Sequence, residues 1–214
     1  IGERVELALA LTPRLATIED GTLDIIREGG RVHLEGTIGL EPPFRVDANL
    51  DIRDLQFAKL MEQIDVTPNA IVWWFLSGPA ELHGTLVPFL LEGPIRVDTR
   101  DFLVTQGPWH AQPRERVIGT TAGRVEGRVR IDPEALSFLD LHLVTAHSDV
   151  DCDVIIGFGK TFHVHATSRR LDLADITPLV DMSLAGVGSV EVTATGLYAD
   201  PQVFGSLSMH GFEF

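Results

Sequence analysis

Three aspartates alternate along one short stretch, Asp149, Asp151 and Asp153, and two histidines follow at the same spacing, His163 and His165. Carboxylates and imidazoles on one face are ligand types that hold a divalent metal. The plainer reading is a solvated outer face, for which Arg124, Glu126, Arg128 and Arg130 offer cross-strand ion-pair partners. We adopt the plainer reading and assign no metal ligand. His33, His83, His110, His142, His147 and His210 are dispersed and build no cluster.

Nucleophilic catalysis asks for a Ser or Cys beside a His, with an orienting acid, on an exposed turn. Cys152 falls mid-strand and reads as a small buried hydrophobe, and as the single cysteine it forms no internal disulfide. Neither G-x-S-x-G nor H-E-x-x-H occurs, and Gly157-Phe158-Gly159 lacks the following helix and lysine that phosphate binding uses. The expectation is a protein that is not an enzyme and carries no cofactor.

What remains is the scaffold, and it is regular. FRVDANLDI sets Phe44, Val46, Ala48, Leu50 and Ile52 against Arg45, Asp47, Asn49 and Asp51, and GSVEVTATG opposes Val190, Val192 and Ala194 to Glu191, Thr193 and Thr195. A period of two marks half-buried strands. The pattern predicts strands near 3–11, 21–27, 31–39, 44–52, 80–87, 89–97, 101–106, 124–131, 136–146, 149–156, 161–167, 188–195 and 202–210. Glu28-Gly29-Gly30, Pro42-Pro43, Gly107-Pro108, Asp132-Pro133 and Gly157-Phe158-Gly159 punctuate them. Many strands on short joints imply an antiparallel meander, because parallel neighbours need long crossovers.

Two segments break the period. DLQFAKLMEQI places Phe57, Leu60, Met61 and Ile64 at helical spacing behind a potential Asp54 cap, and LDLADITPLVDMSL does the same with Leu173, Ile176, Val180 and Leu184. Val46, Ala48 and Leu50 precede the first as Phe162, Val164 and Ala166 precede the second, 116 residues later. Gly84 and Gly93 recur as Gly196 and Gly205 at an offset of 112. The chain therefore reads as one segment, 1–214, with two degenerate repeats near 44–97 and 160–214. It opens and closes inside strand-like stretches, so it reads as a piece of a longer protein.

The C-terminal third, SRRLDLADITPLVDMSLAGVGSVEVTATGLYADPQVFGSLSMHGF, resembles the AsmA/TamB-like family of Gram-negative envelope proteins. The likeness rests on a helix motif from Leu171 to Leu179, a glycine-flanked strand from Leu184 to Gly196, and a strand from Asp200 to Phe212. NLDIRDLQFAKLM and LSGPAELHGTLVPFLLEG carry a weaker copy, with Pro88 in place of the Asp-Pro pair. The resemblance implies an elongated, U-shaped β-taco sheet with an apolar concave face, in a parent chain anchored at the inner membrane and spanning the periplasm. Its implied roles are phospholipid transport between membranes or assembly of outer-membrane proteins, the latter with an outer-membrane barrel protein as partner.

An apolar sheet face must be covered by a second layer, by helices or by a ligand. If the sheet curls, Val46, Ala48, Leu50, Leu82, Ile95, Val97, Val125, Val129, Leu141, Leu143, Val154, Val164, Val192, Val203 and Leu207 line a trough suited to the acyl chains of phospholipid. The competing reading is a sandwich core with no ligand. A third reading, a scaffold or chaperone, offers strand edges to barrel proteins by β-augmentation. A net charge of −14 with no run of four basic residues argues against nucleic acid and against docking on anionic lipid. AIVWWFL, the longest apolar run, is far short of the roughly 18 residues of a membrane span. Trp73 and Trp74 within it suit core packing first, and a trough mouth, membrane interface or partner second.

Overall fold

Alternation becomes strand almost wherever it occurs. The computed structural model describes residues 4–24, 30–63, 70–106, 115–177 and 185–213. Its strands are β1 (Arg4–Leu11), β2 (Leu15–Asp24), β3 (Arg31–Gly39), β4 (Arg45–Gln56), β5 (Ala70–Leu86), β6 (Phe89–Gln106) and β7 (Glu115–Ile131). They continue as β8 (Ala135–Val144), β9 (Asp149–Gly157), β10 (Thr161–Asp172), β11 (Ile176–Thr177), β12 (Ala185–Leu197) and β13 (Asp200–Glu213). One helix, α1 (Phe57–Gln63), follows β4, and a 3₁₀ turn, Leu173–Asp175, follows β10.

Twelve strands hydrogen-bond in chain order into one open antiparallel sheet, from β1 at one edge to β13 at the other; β11 leaves that order and pairs with β7. The register carries a single apolar face across it. Ala48 opposes Leu82, Ala80 opposes Ile95, and Val97 opposes Val125. The row continues through Val125–Leu143, Phe138–Val154, Val154–Val164, Val164–Ala194 and Ala194–Val203. On β6 the period is unbroken: Gly93, Ile95, Val97 and Thr99 are buried, while Glu92, Pro94, Arg96, Asp98 and Arg100 are exposed.

The outer face is laced with ion pairs: Arg96 to Glu126 at 3.0 Å, Arg124 to Asp98 at 2.9 Å, and Arg100 to Asp54 at 2.7 Å. Arg124, Glu126 and Arg128 do pair across strands, but with β6 and β8 rather than with Asp149, Asp151 and Asp153, because β8 lies between β7 and β9.

Three sequence expectations need correction. The strands expected at 89–97 and 101–106 are one strand, β6, whose alternation is re-phased at Asp101, a residue at φ 52°. An extra residue in one strand shifts the side-chain phase without ending the ladder. Asp54 does not cap α1; it sits at φ 51° beside a register break in β4, with its N–H donated to Ser77 Oγ at 2.9 Å. The second helix is not formed over the described part of its segment. Leu171 and Asp172 stay in β10, Leu173–Asp175 is a 3₁₀ turn, and Ile176 and Thr177 pair with Thr120 and Gly119; Val180 and Leu184 lie outside the described residues. Thr177 precedes Pro178, and a residue before proline is pushed from helical toward extended backbone.

Candidate functional site

All fifteen trough residues belong to the one apolar face, and they divide into three groups along it. Ala48, Ile95, Val97, Val125, Val129 and Leu141 are buried. Val46, Leu50, Leu82, Leu143, Val154, Val164 and Val192 are half-buried. Val203 and Leu207, on the edge strand β13, are 65% and 58% exposed. The opposite edge matches it, with Leu9 and Leu11 of β1 at 53% and 70%.

Protein covers the middle. Helix α1 turns its Phe57, Ala58 and Met61 into the face, at the i, i+1, i+4 spacing that one side of a helix provides. The Phe57 ring meets Phe138 of β8 edge-on, centroids 5.9 Å apart. Strands β4 and β8 are four spacings of about 4.8 Å apart in the sheet, and α1, lying over the apolar face, carries Phe57 across that interval. Ile52, Leu55, Leu76, Leu136 and Ile156 complete this central cluster. Leu136, Phe138 and Ile156 follow the same alternation as the predicted lining, so the period alone could have found them; nothing local in the sequence points Phe57 toward Phe138.

Toward the long connections, Trp74 stacks edge-on against Phe102 at 5.2 Å, and its buried Nε1 has no hydrogen-bond partner. Trp73 Nε1 donates to Thr105 Oγ1 at 3.0 Å. Both tryptophans are half-buried within β5.

The polar candidates are used structurally. His165 opposes Asp153 across the β9–β10 ladder, yet its Nδ1 pairs with Thr193 Oγ1 at 3.0 Å, while Asp153 accepts the Asp140 N–H at 2.7 Å. Asp151 pairs with His142 Nδ1 at 2.8 Å. Among the described residues no group of three or more His, Cys, Asp or Glu side chains could hold a metal ion. Cys152 opposes Leu141 and Ala166 on the apolar face, and burial, with Asp153 and Asp151 adding to it, pushes its thiol up to about 11. A thiol so held is protonated at neutral pH and is a poor nucleophile.

One polar cluster was not anticipated. Asp175, its side chain only 9% exposed, accepts from the Thr145 hydroxyl, from His147 N–H at 2.9 Å, and pairs with His147 Nδ1 at 2.9 Å. Burial alone would raise this carboxyl, but the hydrogen bonds from Thr145, His147 and Ser148 outweigh it and hold the group at about 2. The cluster fastens the 3₁₀ turn to the β8–β9 connection, which keeps the chain beyond β10 close to β7.

A recess of about 380 Å³ opens where His83, Glu92, Pro94, Arg128, Arg130 and Leu139 converge. Its charged side chains belong to the polar face, while Val129 of the predicted lining also borders it. No protein-family model, curated protein or solved structure matches the chain. Among the described residues no helix is long and apolar enough to cross a membrane.

Proposed function

We propose that the chain is a segment of an AsmA/TamB-like envelope bridge that holds phospholipid acyl chains against its apolar sheet face, without catalysis, metal or cofactor. The observation that carries this reading is a single apolar face running unbroken through twelve strands of an open sheet, left uncovered toward β13. In this reading the sheet takes a U-shaped, β-taco cross-section, with the Phe57–Phe138 contact reaching over its apolar side. Because α1 fills the centre, the acyl-chain site is the stretch of Val164, Val192, Val203 and Leu207. Each buried methylene contributes about 0.8 kcal/mol, so a chain of about sixteen carbons gains on the order of 10 kcal/mol before ordering costs. That gain has no direction along the face, which lets a chain slide between equivalent positions.

In this reading the parent protein is anchored in the inner membrane, crosses the periplasm and delivers lipid toward the outer membrane. The two units near 44–97 and 160–214 are repeats of one building block. A scaffold for barrel-protein assembly, by pairing with β1 or β13, the edge strands among the described residues, is the second reading.

Native mass spectrometry after detergent-free purification tests the proposal. Co-purified phospholipid that is lost in Val192→Asp, with unchanged circular dichroism, supports it; a lipid-free wild-type chain that also fails to take up a fluorescent fatty acid sinks it.

A further inference from the structure

We propose that three neighbouring turns at one end of the sheet form a docking surface for a zwitterionic lipid bilayer. They join β1 to β2 (residues 12–14), β3 to β4 (residues 40–44) and β5 to β6 (residues 87–88). In and beside them Leu11, Leu15, Leu40, Leu86 and Val87 are exposed by 70%, 38%, 42%, 38% and 59%. A single bare aliphatic needs no explanation, but five on adjoining turns make a patch. The turns are tied together: Leu40 N–H donates to Arg14 O at 2.9 Å, and Leu86 and Val87 N–H donate to Phe44 O and Pro43 O at 3.1 and 3.2 Å. Strands β3 to β6 are each paired on both sides, so the exposure of Leu40, Leu86 and Val87 does not come from an edge strand.

Backbone and charge select the occupant. Hydrocarbon offers no donors or acceptors, so a segment enters a bilayer surface readily only when its own polar groups are already satisfied. Here Pro13, Pro42, Pro43 and Pro88 have no N–H to satisfy, and the N–H groups of Thr12 and Phe44 are donated to Leu15 O and Glu41 O, both at 2.8 Å. The charged residues of these turns, Arg14 and Glu41, pair at 3.5 Å and cancel. The patch thus presents apolar side chains with little for a protein partner to read by hydrogen bond or charge. A net charge of −14 repels anionic lipid, so the contact is apolar and the bilayer zwitterionic. Leu40 and Leu86 keep the parity of Ile38 and Leu82, which oppose Val46 and Ala48, so the patch continues the apolar face to the strand ends.

Docking is read on a vesicle surface and the acyl-chain site by uptake of a free fatty acid, so either can fail without the other. Wild-type chain should float with phosphatidylcholine vesicles, equally at low and high salt, and less as phosphatidylglycerol replaces phosphatidylcholine. Val87→Asp and Leu40→Asp, each with unchanged circular dichroism, should lower the bound fraction about tenfold or more, the worth of one large aliphatic side chain withdrawn from water. Phe158→Asp, at an exposed apolar position on the separate β9–β10 turn, should leave it unchanged. A wild-type chain that stays in the buffer, binding that grows with phosphatidylglycerol, no loss in Val87→Asp and Leu40→Asp, or an equal loss in Phe158→Asp would each overturn the proposal. So would vesicle-free self-association that Val87→Asp abolishes, which would assign the patch to a second copy.

Discussion

The unit β4–α1–β5–β6 and the unit β10–turn–β12–β13 are built alike and end differently. Strands β4 and β10 are both 12 residues long. Their ladders break at equivalent places, between Ile52 and Leu55 and between Ser168 and Leu171, an offset of 116. Gly84 and Gly196 stand opposite Val46 and Phe162, where an added Cβ would lie 1.9 Å from Leu90 O and 2.8 Å from Asp200 O. Yet Ile95 is 7% exposed and its counterpart Leu207 is 58% exposed, and Ala58 is buried where Ala174 is exposed. Local sequence repeats the backbone, then; burial depends on what lies over and beside it. The first unit has α1 above it and β7 alongside, whereas the second has a turn drawn aside by Asp175 and, among the described residues, β13 as its edge strand.

A charge placed in each unit should split them most widely. Val97→Asp puts a carboxylate at a position 2% exposed, facing Val125 within the apolar cluster, and should cost about 3–5 kcal/mol in urea unfolding. Leu207→Asp, at its exposed edge, should cost under about 1 kcal/mol. Equal losses would mean that β13 is covered in solution and the contrast is void. Truncation under the helix comes next. Phe57→Ala removes the ring that touches Phe138 and should cost about 3–4 kcal/mol, while Leu173→Ala, buried but outside the central cluster, should cost about 2 kcal/mol.

The sheet was legible because alternation is local and its phase names the face. Phe44 to Ile52 and Ser189 to Thr195 state which side chains share a side, and short turns then fix the antiparallel order. What was not legible is non-local. Ile176 shows helical spacing with Leu173, but Pro178 and the Asp175 contacts from a connection about thirty residues upstream take that segment to β7. The positive φ of Asp101 re-phases β6 without a glycine to announce it. For the candidate site, the lining residues were readable one by one; which of them the protein itself covers was not, since that follows from α1 lying over the face and Phe57 reaching β8.

The latch can be loosened by pH. Asp175 is held at about 2, below its ordinary value near 3.9. A depressed carboxyl contributes stability that is complete above the unfolded value and is lost as pH falls from about 4 to about 2. Discounted for the exposed His147 beside it, the contribution is about 1–2 kcal/mol. Asp175→Asn should remove it at neutral pH and flatten the acid limb of the stability curve in that window. If the second unit depends on this latch, hydrogen exchange in β12 should quicken in the variant while that in β5 stays unchanged.

The smallest effect belongs to the polar face, and its smallness sharpens the contrast. Arg124 and Asp98 form a 2.9 Å pair between β7 and β6, with both side chains well exposed. Exposed pairs gain little because water screens the attraction and ordering two long side chains offsets most of it. Arg124→Ala should therefore cost about 0.2–1 kcal/mol, and less in high salt. A loss several times larger would place the difference between the units in their ion pairs. The small loss leaves it on the apolar face, where Ile95 is covered and Leu207 is not.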